Sequence, residues 1–291
     1  MAELRVVKAS QPELADAVDL QIELLALQRR VQARVPLPWF EVDPEWLKRQ
    51  FEKGLPLLRF EEVPLDWTEV RLMFRQTADI LLRFHALDAE DHRHLQAIAR
   101  TANMLEPLVT RWYKTAIPGD AVAAGTAAAS AEPAGGADAA AAIPAAVPVS
   151  HEALEQVLGL AMRPFLERCA ESIQQRLDLG SWGEPYCPVC GGEVEFAVIT
   201  PGADRLLVCS RCAARWRFDA IACPFCRNRD RARITSFTSR DGRYRLYACD
   251  VCLRYLKALD ARSPGRPLML AVDTIATLPL DAAAMKKGYR S

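Results

Sequence analysis

Histidine is scarce in this 291-residue chain, net charge is absent, and no long apolar run occurs; each shortage excludes something. With 37 basic and 37 acidic side chains, the chain lacks the bulk charge that coats nucleic acid or an anionic membrane. No stretch approaches the roughly 18–20 apolar residues that a bilayer demands, so no membrane span is expected. The first twenty residues carry charges where a secretory signal needs an apolar core, which predicts a cytoplasmic protein. The four histidines are His85, His92, His94 and His151. His92 and His94, two apart, diverge on a helix and make no metal pair. No nucleophile elbow, P-loop or dinucleotide fingerprint stands between a strand and a helix. A non-catalytic protein is expected.

What is present is a hydrophobic half, 51% of residues, enough to bury a sizeable core. At roughly 100–200 residues per domain, the length predicts two or three domains. Residues 1–118 read as the first part of a helical domain. Apolar residues recur at a helical period from Pro12 to Val35. Asp43-Pro44-Glu45 offers an N-cap, a proline for the first helical position and an acid for the first turn, with Gly54 as the stop. A second start lies at Pro64 to Asp66. One further helix is expected to carry Leu95, Ile98, Ala102, Leu105 and Trp112, kinked by Pro107. Residues 119–149 are about half alanine, without an aromatic and interrupted by Pro133, Pro144 and Pro148, and read as a flexible linker or insertion. Residues 150–180 supply a helix capped by Ser150, bent at Pro164 and burying Cys169 as a small hydrophobe.

After Gly180 the pattern turns to short β-type runs: Val194–Ile199, Leu206–Val208, Arg215–Phe218, Ile234–Phe237 and Tyr244–Ala248. Between them stand eight of the nine cysteines, as four C-x-x-C pairs: Cys187/Cys190, Cys209/Cys212, Cys223/Cys226 and Cys249/Cys252. Two thiolates in one tight turn bind half of a tetrahedral site, and a second such turn completes it. Four pairs within 66 residues point to metal, since disulfides do not persist in a reducing compartment. Gaps of 18 and 22 residues inside successive couples leave room for a hairpin. The economical partition is two consecutive four-cysteine sites, in modules 181–221 and 222–262, followed by a tail at 263–291. An interleaved partition, first pair with third, stays open. Arg211, Arg215, Arg227 and Arg254 lie near the pairs and are expected to offset thiolate charge. Four sulfurs suit zinc and iron alike.

At these residues the sequence resembles the formate dehydrogenase accessory protein FdhE family. The resemblance runs from Tyr186-Cys187-Pro188-Val189-Cys190-Gly191 through Cys209-Ser210-Arg211-Cys212 with Trp216. It continues through Cys223-Pro224-Phe225-Cys226 and Cys249-Asp250-Val251-Cys252 with Tyr255-Leu256-Lys257. The tail from Val272-Asp273-Thr274 to Lys287-Gly288-Tyr289 looks like the family's closing helix. The resemblance implies a multidomain α+β fold, with an N-terminal α-helical domain followed by two tandem rubredoxin-like, or zinc-ribbon, modules. It implies that all eight paired cysteines are metal ligands, holding two ions of iron or zinc per chain. It also implies a cytoplasmic maturation factor that contacts the catalytic subunit of formate dehydrogenase.

Two other classes compete with that reading. An iron–tetrathiolate centre could serve as a one-electron carrier. A zinc ribbon could bind nucleic acid, with Arg227-Asn228-Arg229-Asp230-Arg231-Ala232-Arg233 as its basic run. Residues 184–260 hold 13 basic and 9 acidic side chains, a net of +4 that is modest for a nucleic-acid domain. Nucleic acid is therefore disfavoured as a partner.

Overall fold

Local capping chemistry sets the helical half. The Asp43 carboxylate accepts from the backbone N–H groups of Glu45 (3.1 Å) and Trp46 (3.2 Å), which would otherwise have no partner in a helical first turn. Asp66 accepts from the Thr68 N–H, and Asp88 from those of Glu90 and Asp91, at the starts of the next two helices. Gly54 ends the Asp43-capped helix at φ 63°, and Leu55 donates back to the Gln50 carbonyl at 2.9 Å, a closure that needs a left-handed residue.

The structure is a computed structural model describing residues 1–40, 43–101, 103–115 and 149–290. Among these described residues seven α-helices come first: α1 (Ala2–Ser10), α2 (Ala15–Gln32), α3 (Pro44–Glu52), α4 (Trp67–Arg83), α5 (Ala89–Arg100), α6 (Leu105–Lys114) and α7 (His151–Gln174). The segment read as a linker lies outside the described residues except for Val149, and so does Ala102. The single helix expected from Leu95 to Trp112 is two, α5 and α6. Pro107 does not kink a continuous helix; it falls in the first turn of α6, where its missing N–H costs nothing. The helix α7 runs through Pro164 and buries Phe165, Leu166 and Cys169.

Six strands form one sheet: β1 (Val194–Ile199), β2 (Arg205–Cys209), β3 (Arg215–Phe218), β4 (Ile234–Thr238), β5 (Tyr244–Cys249) and β6 (Tyr255–Asp260), in the order β3-β2-β1-β6-β5-β4. Within each half the pairs are antiparallel. The halves join by one parallel pair, β1 with β6, in which Phe196 faces Lys257 and Ile199 faces Asp260. The two ribbons thus repeat head to tail and share one continuous sheet. The closing helix is also two, α8 (Leu270–Ala276) and α9 (Leu278–Lys286), with Pro279 in the first turn of the second. Val272 of α8 packs with Leu4, Val7, Leu14 and Val18, so the end of the chain covers its beginning.

The largest core cluster runs without a break from Leu24 in α2, through α4 and α7, into Cys187, Cys190, Cys209 and Trp216. Burying each such large side chain is worth about 1.5–3 kcal/mol. The helical half and the first cysteine group therefore share one core.

Candidate metal centres

Each C-x-x-C pair sits in the same backbone turn. The N–H four residues after the first cysteine donates to that cysteine's carbonyl: Gly191 to Cys187 (3.0 Å), Ala213 to Cys209 (3.2 Å), Arg227 to Cys223 (2.8 Å) and Leu253 to Cys249 (2.9 Å). The first cysteine's own N–H donates five residues on, to Gly192, Ala214, Asn228 and Arg254. Closing this turn demands a left-handed residue directly after the second cysteine. Gly191 (φ 74°), Ala213 (54°), Arg227 (60°) and Leu253 (57°) all adopt it. Only the first of these is glycine; side chains at the other three cost about 1–2 kcal/mol each.

The turns bring the eight paired thiols together as two consecutive fours, not interleaved ones. Cys187, Cys190, Cys209 and Cys212 form one group, and Cys223, Cys226, Cys249 and Cys252 the other; within each, all Sγ atoms lie within 4.8 Å of one another. In the first, Cys187–Cys212, Cys190–Cys209 and Cys190–Cys212 are each 3.5 Å apart. In the second, Cys223–Cys252 is 3.8 Å and Cys226–Cys249 is 3.6 Å. Four thiolates about 2.3 Å from a shared ion make a tetrahedron with edges of about 3.8 Å. Both groups fit that shape and could hold a metal ion. Among the described residues, no other cluster of ligand-type side chains does.

Backbone donors ready the sulfurs. Val189 N–H points at Cys187 Sγ and Arg211 N–H at Cys209 Sγ, each at 3.3 Å. Burial raises the thiols of Cys187, Cys212, Cys223 and Cys252; at Cys249 the N–H groups of Cys252 and Val251, with the Cys226 and Cys223 thiols, together outweigh burial and bring the group down to about 7. A thiol so placed is substantially ionised at neutral pH, which is the form a metal binds. Cys169 is the contrast: burial lifts it to about 12, and it stays a core thiol apart from either four.

The arginines expected to offset thiolate charge have other partners. Arg211 lies 3.9 Å over the Trp112 ring, Arg254 lies 3.8 Å over Phe225 and pairs with Glu193 at 2.8 Å, and Arg227 pairs with Glu184. Arg215 donates to the Leu268 carbonyl at 3.4 Å. In the basic run, Arg229 pairs with Asp219, and Asp230 caps the turn Arg231–Arg233. His92 bonds Asp79 at 2.7 Å.

Sequence reasoning missed Arg205. Its side chain lies within the sheet and donates to the carbonyls of Asp219 and Ala222, the residues that lead into Cys223. Burial lowers its pKa to about 10, so it stays charged at neutral pH. A lone cation in an otherwise apolar strand, Arg205-Leu206-Leu207-Val208, was the available signal. Beside both cysteine groups runs a groove of about 700 Å³, lined by Trp112, Arg163, Arg211, Phe225, Lys257 and Met285 among others.

Fold and site together define a class: a helical domain carrying a paired-ribbon sheet with two four-cysteine groups suited to metal. No protein-family model matches the chain. In sequence it is similar to the "Protein FdhE homolog" of Stutzerimonas stutzeri (strain A1501), 31% identical over 110 residues, a match that spans 36% of this chain and 36% of that relative. In fold it is similar to the crystal structure of the FdhE protein from Pseudomonas aeruginosa. The TM-score is 0.59 at 21% identity, over 99% of this chain and 90% of that one. The resemblance to the FdhE family carried by the cysteine turns is thus supported twice, by a segment of sequence and by the fold of nearly the whole chain. No helix among the described residues is long and apolar enough to cross a membrane.

Proposed function

We propose that this protein is a non-catalytic accessory factor required for active formate dehydrogenase, and that it acts by binding the enzyme's catalytic subunit in the cytoplasm. On this reading Cys187, Cys190, Cys209 and Cys212 hold one ion and Cys223, Cys226, Cys249 and Cys252 a second, each iron or zinc. On the same reading the chain divides into a helical domain, modules at 181–221 and 222–262, and a tail from 263. The observation that carries the proposal is the closure of both thiol groups on an FdhE-like fold. A complete tetrahedron of protein sulfurs leaves no open position for a substrate or an activated water. What remains for work is surface.

The test is a strain lacking this protein. It should make the dehydrogenase polypeptide yet oxidise little formate, and Cys→Ser variants in either ribbon should not restore activity. The catalytic subunit should co-purify with the unaltered chain. Normal formate oxidation in the deletion strain, with no complex, would falsify the assignment. Metal analysis with a visible spectrum, on protein purified without oxygen, separates iron from zinc.

A further inference from the structure

The two thiol groups are alike in backbone and unlike in access. In the first, Cys187, Cys190 and Cys209 are fully buried and Cys212 is 2% exposed. The helical domain seals it. Leu57 and Leu58 donate their N–H groups to the carbonyls of Pro188 and Val189, both at 2.9 Å, inside the first turn. Tyr113, fully buried, donates its hydroxyl to the Leu58 carbonyl at 2.8 Å, and Arg211 lies over the Trp112 ring. Gly192 is packed so closely that a Cβ there would stand 3.0 Å from Cys209 Sγ.

The second group opens outward. Cys226 is exposed and Cys252 is half-buried. Val251 and Leu253, on either side of Cys252, are 54% and 52% exposed. Arg254 over Phe225, and Tyr289 donating to Asp250 at 2.6 Å, brace the turns, and Cys226 stays exposed while its Sγ faces Cys249 Sγ at 3.6 Å.

Access decides how an ion leaves a closed set of four thiolates. An incoming donor bonds to the ion, one protein thiolate bond breaks, and the freed sulfur takes a proton from water; no electron moves. At a buried group each of these events waits for local opening of the fold. At an exposed cysteine the donor and the proton arrive directly.

We propose that the two centres divide their work. The first is a retained centre that fastens the ribbon to the helical domain. The second is an exchangeable centre whose ion passes to or from an external soft donor, a thiolate or an imidazole, at the Cys226 face. This rests on the reading that both groups hold ions, and the experiment separates the two claims.

The full chain is loaded with zinc and mixed with an excess of the coloured chelator 4-(2-pyridylazo)resorcinol. Two ions per chain should leave in two phases of equal size, separated in rate by at least about tenfold. Cys226→Ser should remove the fast phase and keep the slow one; Gly192→Ala should speed the slow phase and spare the fast. Because an altered ribbon can fail to fold, the assignment is also read on the unaltered chain. Iodoacetamide followed by peptide mapping should label Cys226 and Cys252 early, while Cys187, Cys190, Cys209 and Cys212 stay protected. Fewer than two bound ions overturns the ligand reading and this proposal with it. Two ions released in one phase, loss of the slow phase in Cys226→Ser, or early labelling of the first four leaves the ligand reading standing and overturns the division.

Discussion

Leu58 donates its backbone N–H to the carbonyl of Val189, 2.9 Å away, and so ties the helical domain to the inside of the first cysteine turn. The bond spans a large sequence separation and is matched one residue earlier by Leu57 and Pro188. A C-x-x-C turn is usually a free-standing loop around its ion. Here the Pro188 and Val189 backbone is a docking strip, so the geometry of the first thiol group and the packing of the helical domain stand or fall together.

Glycine packing gives a paired expectation. In Gly192→Ala the new Cβ meets Cys209 Sγ at 3.0 Å and the Arg211 side chain at 3.1 Å, with a buried sulfur that cannot move away. Such overpacking costs about 1–3 kcal/mol. Gly159, inside α7, has nothing within 4 Å of its Cβ direction, so Gly159→Ala should stabilise by about 0.5–1 kcal/mol through helix propensity. Urea unfolding of both variants checks the pair; equal effects would contradict the packing.

The left-handed positions make a second. Ala213 occupies at φ 54° the place that Gly191 holds at 74°. Ala213→Gly removes a steric cost of about 1–2 kcal/mol and loosens the unfolded chain by about 0.5–1 kcal/mol, for a gain below about 1 kcal/mol. Gly191→Ala should lose about 1 kcal/mol. A clear loss of melting temperature in Ala213→Gly would show that the methyl group packs for another purpose.

Arg205 joins the ribbons from inside. Arg205→Met keeps the apolar stem but leaves the Asp219 and Ala222 carbonyls without their donor just before Cys223. Unmade bonds to a charged donor cost about 1.5–3 kcal/mol. The loss should appear as weaker metal retention in the second group while the first keeps its ion. Metal counting after dialysis reads this directly, and equal loss from both groups would place the clamp elsewhere.

Asp260 sets an acid limit. The Arg262 guanidinium, aided by Arg245 at 2.6 Å, holds this buried carboxyl well below the usual carboxylate range. Since its pKa is lower folded than unfolded, its stabilisation is complete above about pH 4 and is lost as pH falls toward the folded value. The stability gap between the unaltered chain and Asp260→Asn should therefore narrow by about 1 kcal/mol from pH 6 to pH 3. Measured by urea unfolding, a gap that stays constant would mean that the pairing with Arg262 and Arg245 is not what the aspartate contributes.

Much of this protein was legible before any coordinate. The caps at Asp43, Asp66 and Ser150 lie within three residues of the N–H groups they satisfy, so sequence alone places those helix starts. Strands β1 and β3 begin and end where their apolar and β-favouring runs do. The C-x-x-C turns and their spacings favour two consecutive fours, because a gap of 18 or 22 residues returns each chain segment to its own partner, and the thiol positions then exclude the interleaved pairing. These are short-range consequences of residue type and spacing.

Only the tertiary structure decided the rest. The strand β6, at the centre of the sheet, was not legible because Tyr255-Leu256-Lys257-Ala258-Leu259-Asp260 carries two charges that read as surface. Lys257 is buried because Asp281, 24 residues on, meets it at 2.6 Å, and Asp260 because Arg245 and Arg262 surround it. The same holds for Leu57 and Leu58 against Pro188 and Val189, and for the parallel joint that fuses two ribbons into one sheet. Above all, four C-x-x-C pairs of one spacing say nothing about exposure. Whether a thiol group is sealed or open depends on which distant helix packs over it, and that burial follows from side chains far apart in sequence meeting in one core.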